Sequence, residues 1–301
     1  MELDSKVIED YKKAGKINIK AKKLIEKLAK PGAKVLDIAE KVEKLIIDEK
    51  ARPAFPLNIS LNNIAAHYTP DLDCKIALGD DDIVKFDVGV QVNGYIADSA
   101  ITISTNPKND LHHKLIEASR ESLEKAIELV KPGAKIESIG ETIEKTMKKH
   151  GVKPIQNLTG HGVAQYTQHT EPSIWNIKRA GGTLEEGMQI AIEPFSTNGA
   201  GEVHDDKEVQ IFEFIGNIPV RMAEARKILH FAEHEFERTP FAKRWLEKEI
   251  GKLKLGMALI ELDKFRALFK YPVLKEKGNG LVAQFEHTMI VEKDGPLVTT
   301  L

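Results

Sequence analysis

A block of sequence near the start of this chain returns about a hundred residues later, and that duplication constrains the fold more than any other feature. Lys-Pro-Gly-Ala-Lys at 30–34, with the run that follows it to Lys44, is echoed at 131–135 by a run ending at Lys145. In each copy a helical pattern precedes the turn, over 6–29 and 110–130, and another follows it. Val35, Ile38, Ala39, Val42, Leu45 and Ile46 recur at the spacings of one buried helix face. Proline and glycine between the helices stop the first and let the chain reverse. Shorter echoes come in the same order. His67 in Ala66-His67-Tyr68-Thr69-Pro70 parallels His169 in Gln168-His169-Thr170-Glu171-Pro172. The stretch 78–87 parallels 184–193, and Asn93-Gly94 with Asp98 finds a looser partner in Asn279-Gly280 with Glu286. Two halves, each a helix pair followed by strands, predict one α/β (α+β) unit over 1–301. Its pseudo-twofold halves fall at about 1–108 and 109–301, with a site at their junction. The stretch 221–277 is amphipathic and helical in pattern, has no counterpart in the first half, and is expected to be a helical insertion subdomain.

Other features narrow the class. With 42% apolar residues the chain has ample material for a core, which excludes a disordered or fibrous protein. Its 44 Lys and Arg against 46 Asp and Glu leave a net charge of −2, without the basic balance that nucleic acid or an acidic membrane surface selects. The longest apolar runs are strand-sized, so no bilayer span is expected. The opening Met1-Glu2-Leu3-Asp4-Ser5-Lys6 lacks the apolar stretch of a secretory leader. The single cysteine, Cys74, excludes an internal disulfide and a thiolate zinc knuckle. An intracellular, cytoplasmic protein without membrane partners is expected.

The sharpest local signal is the run 84–103, where alternating apolar residues flank Asn93-Gly94, the preferred pair for a two-residue type I′ hairpin. With that pair in the turn, Val92 faces Tyr95 and Gly89 faces Asp98. Asp87 and Asp98 then share one face as diagonal neighbours. Glu193 ends an apolar strand at 190–193, and Glu286 lies inside another at 284–291. His161 stands between Gly160 and Gly162, which free the backbone on both sides of the imidazole. A solvated hairpin face would explain the two aspartates alone. Four inward carboxylates and one imidazole form a hard, oxygen-rich set suited to two divalent cations, with cobalt, manganese, iron and zinc all admissible.

Other histidines and acidic runs carry less. His230 and His234 have the spacing of a helical metal pair, but Arg238 stands where a zincin motif requires histidine, so a solvated helix face is expected. His112-His113 begins a polar helix, and the acidic run at 80–82 lacks the spacing of a calcium loop.

Asp87, Asp98, His161, Glu193 and Glu286, in that order, resemble the five metal ligands of the pita-bread metallopeptidases. The motifs Ala65-Ala66-His67-Tyr68-Thr69-Pro70, Val203-His204-Asp205-Asp206 and Ala283-Gln284-Phe285-Glu286-His287-Thr288, with the insertion at 221–277, more closely resemble the type 2 methionine aminopeptidases, in their archaeal form. The resemblance covers essentially the whole chain. It implies removal of the initiator methionine from nascent proteins and peptides with a small second residue, by attack of a metal-activated hydroxide on the first peptide bond. By the same resemblance Asp98 and Glu286 bridge two ions, Asp87 binds one, and His161 and Glu193 bind the other. Glu193 carries the proton. His67 and His169 face the substrate as hydrogen-bond donors, and Phe55 and Tyr271 line the methionine pocket. Ile211 stands where eukaryotic relatives carry a further pocket histidine. The expected partners are the nascent chain and the ribosome, and the chain is expected to work as a monomer. Two alternatives stay open: an Xaa-Pro aminopeptidase (prolidase) of the same fold, and a non-catalytic relative associated with ribosome or RNA.

Overall fold

Both Lys-Pro-Gly turns are tied down by the same backbone bonds, so the duplication in sequence is a duplication in space. Gly32 and Gly133 sit at φ +81° and +82°, a left-handed conformation that glycine adopts without strain. Gly32 N–H donates to the Leu78 carbonyl and Gly133 N–H to that of Leu184, at 2.7 and 2.8 Å. Leu78 N–H returns a bond to Ala33, and Leu184 N–H returns one to Ala134. The computed structural model describes residues 3–301; Met1 and Glu2, where the leader reading begins, lie outside them.

In the first half α1 (Ser5–Leu28) and α2 (Val35–Asp48) flank the turn. In the second, α3 (Asp110–Ile127) and α4 (Ile136–Lys149) do the same. The Asp4 carboxylate caps α1 at the Lys6 N–H, and the Asn109 side chain caps α3 at Leu111 and His112. The apolar faces of α1 and α2 close over the hairpin Ile83–Val92/Tyr95–Ser104, giving a core that includes Ile25, Ile38, Val42, Phe86, Val88 and Val90. The faces of α3 and α4 form a second core with Ile190, Ile192, Met289 and Val291.

Asn93 and Gly94 take φ of +52° and +83°, and the hairpin pairs Val92 with Tyr95 and Gly89 with Asp98. This is the register that the turn dipeptide predicts. The second half builds a five-stranded sheet in the order 295–298, 287–292, 189–192, 159–164, 167–175. The two halves join between Tyr95–Ser104 and the segment 284–288. Ala100 and Glu286 exchange backbone bonds at 3.4 and 3.1 Å. The Thr288 hydroxyl accepts from Asp98 N–H and donates to the Asp98 carbonyl, both at 2.8 Å. Asp98 thus stands to Thr288 as Glu286 stands to Ala100, which is the pseudo-twofold relation at the seam.

Helix does not extend through all of 221–277. It occupies α5 (Ala223–His230), running into a π turn at Phe231–Glu235, then α6 (Lys243–Ile250) and α7 (Lys252–Lys264), around a core including Ile228, Phe241, Leu246 and Leu262. Leu268–Glu276 is instead a strand paired with Val203–Phe214. Pro272, which has no N–H, sits opposite Val209 where that pairing shifts register, and the proline and flanking lysines disguise the strand in the sequence. The helices dock through Arg244, whose side chain is 1% exposed. Arg244 pairs with Glu43 of α2 and donates to the Thr69 hydroxyl at 2.6 Å, while Trp245 Nε1 donates to the other Glu43 oxygen at 2.9 Å. Glu43 also accepts from Leu57 N–H at 3.1 Å, so the Glu43–Arg244 pair ties the helices to the segments carrying Phe55, through Leu57, and His67, through Thr69. Among the described residues no helix is long and apolar enough to cross a membrane.

Candidate metal centre and substrate cleft

At the seam between the halves lies a cavity of about 1420 Å³, lined by all nine residues singled out from the sequence: Phe55, His67, Asp87, Asp98, His161, His169, Glu193, Tyr271 and Glu286. The hairpin supplies Asp87 and Asp98 on its face away from α1. Glu193 follows the strand Gln189–Ile192; Glu286, expected inside a strand, lies in the break between Val282–Gln284 and His287–Glu292 at the seam. His161 lies in the strand Thr159–Ala164. Neither flanking glycine is there for a left-handed backbone. A Cβ at Gly160 would lie 2.4 Å from the Ala191 carbonyl oxygen, and one at Gly162 would lie 2.2 Å from that of Glu171. The glycines let two neighbouring strands close on the imidazole.

His161 Nδ1 donates to the Gly162 carbonyl at 3.0 Å, which leaves Nε2 as the free lone pair. That nitrogen lies 3.8 Å from Glu286 and 3.9 Å from both Asp98 and Glu193. Asp98, His161 and Glu286 each offer a ligand atom within 4.8 Å of the others. Burial pushes the Asp87 carboxyl up to about 6. Burial, reinforced by neighbouring carboxylates, pushes Asp98, Glu193 and Glu286 well above their ordinary values. Burial lowers the His161 imidazole to about 4, so it is neutral near pH 7.

The chain supplies few donors here. Gln284 Nε2 reaches Asp87 at 3.3 Å and Glu193 at 3.1 Å, and Gln168 Nε2 reaches Asp98 at 3.2 Å. Asp87 Oδ1, Asp98 Oδ1 and both Glu286 oxygens are buried without a hydrogen-bond partner. Buried carboxylate oxygens without donors are costly unless they meet a cation. The donor set therefore fits divalent metal. Sequence reasoning gave Gln284 and Gln168 no role, although each was legible: Gln284 lies two residues before Glu286, and Gln168 precedes His169.

The wall beside the carboxylates is aromatic. The His169 ring meets that of His161 edge-on at 4.4 Å, and Tyr271 lies 5.4 Å from His67 and 6.2 Å from His169. Burial lowers both His67 and His169, so both are neutral near pH 7. His67, in a left-handed conformation at φ +65°, donates from Nδ1 to the Pro272 carbonyl at 3.1 Å. Its free Nε2 is then a hydrogen-bond acceptor, where a donor was expected from the sequence. Phe55 packs its ring over Gly89, and Ile211 lies across the strand pair from Tyr271. Glu213 accepts from the Tyr271 hydroxyl and fixes that ring. His230 and His234 lie outside this cavity, their rings 4.8 Å apart and His234 mostly exposed.

Residues 9–293 match metallopeptidase family M24. The chain is 47% identical over 290 residues to a methionine aminopeptidase of Thermococcus onnurineus, covering 96% of this chain and 97% of the relative. It is 44% identical over 300 residues to a methionine aminopeptidase of Archaeoglobus fulgidus, covering 99% and 100%. Among solved structures, a methionine aminopeptidase from Thermotoga maritima matches with a TM-score of 0.74 at 23% identity, over 99% of this chain and 98% of that one, a likeness of fold.

Proposed function

The chain belongs to metallopeptidase family M24, with the pita-bread fold, and on that premise we propose how its cleft works. It is a metallo-aminopeptidase that removes the N-terminal methionine from polypeptides, the activity that its full-length relatives are named for. Those relatives favour this reading over the Xaa-Pro and non-catalytic alternatives. The observation that carries it structurally is the cluster of four buried carboxylates, with donorless oxygens, at the base of an aromatic cleft.

Asp87, Asp98, His161, Glu193 and Glu286 would hold two divalent ions; manganese, iron, cobalt and zinc suit the donor set. When bound, the ions supply Lewis acidity at the first peptide carbonyl and make a water acidic enough to ionise near neutral pH. The residues around them do the rest. Phe55 and Tyr271 offer aromatic surface to the methionine thioether, a contact worth about 0.3–1.5 kcal/mol. His67 accepts at Nε2 from a substrate N–H, because its Nδ1 proton is committed to Pro272. His169 is free to donate to the oxygen on which charge develops. Glu193, beside the site of attack, takes the proton released by the attacking water and delivers it to the departing amine. The substrates are nascent chains with a small second residue, met at the ribosome in the cytoplasm. All nine cleft residues line one cavity of a single chain, so the site needs no second copy, and the protein works as a monomer in this reading.

The test is hydrolysis of Met-Ala-Ser, Met-Gly and Ala-Pro peptides by chelated protein, before and after addition of each metal. Metal-dependent release of methionine is expected. Faster cleavage of Ala-Pro than of the methionyl peptides would replace this reading with the Xaa-Pro one.

A further inference from the structure

Asn18 and Ser119 are equivalent in the repeat, each twelve residues before its Lys-Pro-Gly turn. Asn18 lies on α1 and Ser119 on α3, and both are fully buried. The Asn18 amide donates to the Val88 carbonyl at 2.7 Å and the Ala97 carbonyl at 3.0 Å, and its oxygen accepts from the Ser99 hydroxyl at 2.5 Å. The Ser119 hydroxyl donates to the Pro194 carbonyl at 2.7 Å. Val88, Ala97 and Pro194 are the chain neighbours of Asp87, Asp98 and Glu193. Since 78–87 repeats as 184–193, Val88 and Pro194 are themselves equivalent. A bond from a helix side chain to a carbonyl beside a cleft carboxylate thus occurs in both halves, made by an amide in one and a hydroxyl in the other.

Packing alone does not call for polar groups there. Around Asn18, α1 buries Ala14, Ile17, Ala21 and Ile25, and an apolar side chain would avoid the cost of burying an amide. Asn18 also bridges two strands. Val88 belongs to one arm of the hairpin and Ala97 to the other, so a slip of either arm breaks a bond and changes the separation of Asp87 and Asp98.

We propose that Asn18 and Ser119 are positioning residues of the metal centre, holding the carboxylate-bearing backbone at the spacing the cations require through the carbonyl next to each carboxylate. This rests on the reading of the carboxylates as cation ligands. Outer contacts of this kind are typically worth about 10–100-fold in metal affinity.

The experiment is titration of metal-depleted protein with MnCl2, followed by calorimetry and by the electron paramagnetic resonance of free Mn2+. Asn18→Ala is expected to weaken binding by roughly 10–100-fold, and Ser119→Ala by less, since it loses one bond rather than three. Asn18→Ser installs the hydroxyl used in the other half and should recover part of the loss; it also serves if Asn18→Ala does not fold. Ile25→Ala, on the same helix and in the same core, should lower the melting temperature while keeping the parent affinity. Parent affinity in both Asn18 variants overturns the proposal, as does an equal loss in Ile25→Ala. A parent protein that takes up no Mn2+ overturns the cation reading, and this proposal with it.

Discussion

His161 and His169 stand edge to face with ring centres 4.4 Å apart, yet only one of them turns a nitrogen to the carboxylates. His161 Nε2 approaches three of them, whereas His169 packs between His161 and Tyr271 at the cleft wall. The two imidazoles therefore divide the work. His169→Ala should retain bound metal and a parental melting temperature while kcat falls on the order of 10²–10³, the usual cost of one donor to a developing oxyanion. Metal analysis and kinetics on the purified variant check this; a lost ion would make His169 a ligand.

Gly89 is required by Phe55. A Cβ at Gly89 would lie 2.2 Å from the Phe55 ring, so Gly89→Ala must push the ring into the cleft. Overpacking of this kind costs about 1–3 kcal/mol. A rise in KM for methionyl peptides is expected, with kcat changed less, because the disturbance is at the side-chain pocket. Unchanged KM would remove Phe55 from that pocket.

Arg244 and Glu43 form a buried ion pair between α6 and α2. Arg244→Ala leaves the Glu43 carboxylate uncompensated and should cost about 3–5 kcal/mol of stability. Replacing both with apolar residues of similar volume should cost less than the single change, which denaturant unfolding of the three proteins would measure. The paired variant keeps the helices docked on apolar contacts, so equal losses in both would mean that the ion pair is not what Arg244 contributes.

Metal-depleted protein should lose stability relative to protein loaded with Mn2+ as pH rises from about 5 to 8. Asp98, Glu193 and Glu286 hold protons in the metal-free fold that the unfolded chain has already released above pH ~4. Their contribution is full below that value and is lost as pH climbs toward their raised values in the fold. The buried histidines act oppositely, an effect that levels off once pH has passed well above about 6.5 and the unfolded imidazoles are neutral too. Lys22, lowered to about 8, and Lys85, held by burial well below its ordinary value, add stability as pH rises past their values in the fold, with or without metal, so the comparison with Mn2+ isolates the carboxylates. Calorimetric melting at the two pH values, with and without Mn2+, tests it; parallel curves would refute the account.

The hairpin and the residues of the cleft were legible in the sequence for identifiable reasons. Asn93-Gly94 fixes a register by backbone conformation alone, so the facing of Asp87 and Asp98 followed from counting. The repeat then supplied the second set of residues. The strand Leu268–Glu276 was hidden because Pro272 and its lysines break the alternation that marks a strand, and its order comes from pairing with a segment far away in sequence. The tautomer of His67 was equally hidden, since it depends on the carbonyl of Pro272, 205 residues away. Contacts between distant segments decide such features, and local pattern does not carry them.

The seam at Asp98 and Thr288 closes a loop of 190 residues. Contacts of such separation form late, because loop-closure entropy must be met before they contribute. As the polypeptide leaves the ribosome, its first half can fold around the α1–α2 core while Asp98 still lacks the strand that completes its surroundings. Catalytic competence is thus withheld until Glu286 and Thr288 have been synthesised. A protein that trims the beginnings of other chains can start only once both halves of its own repeat have been made.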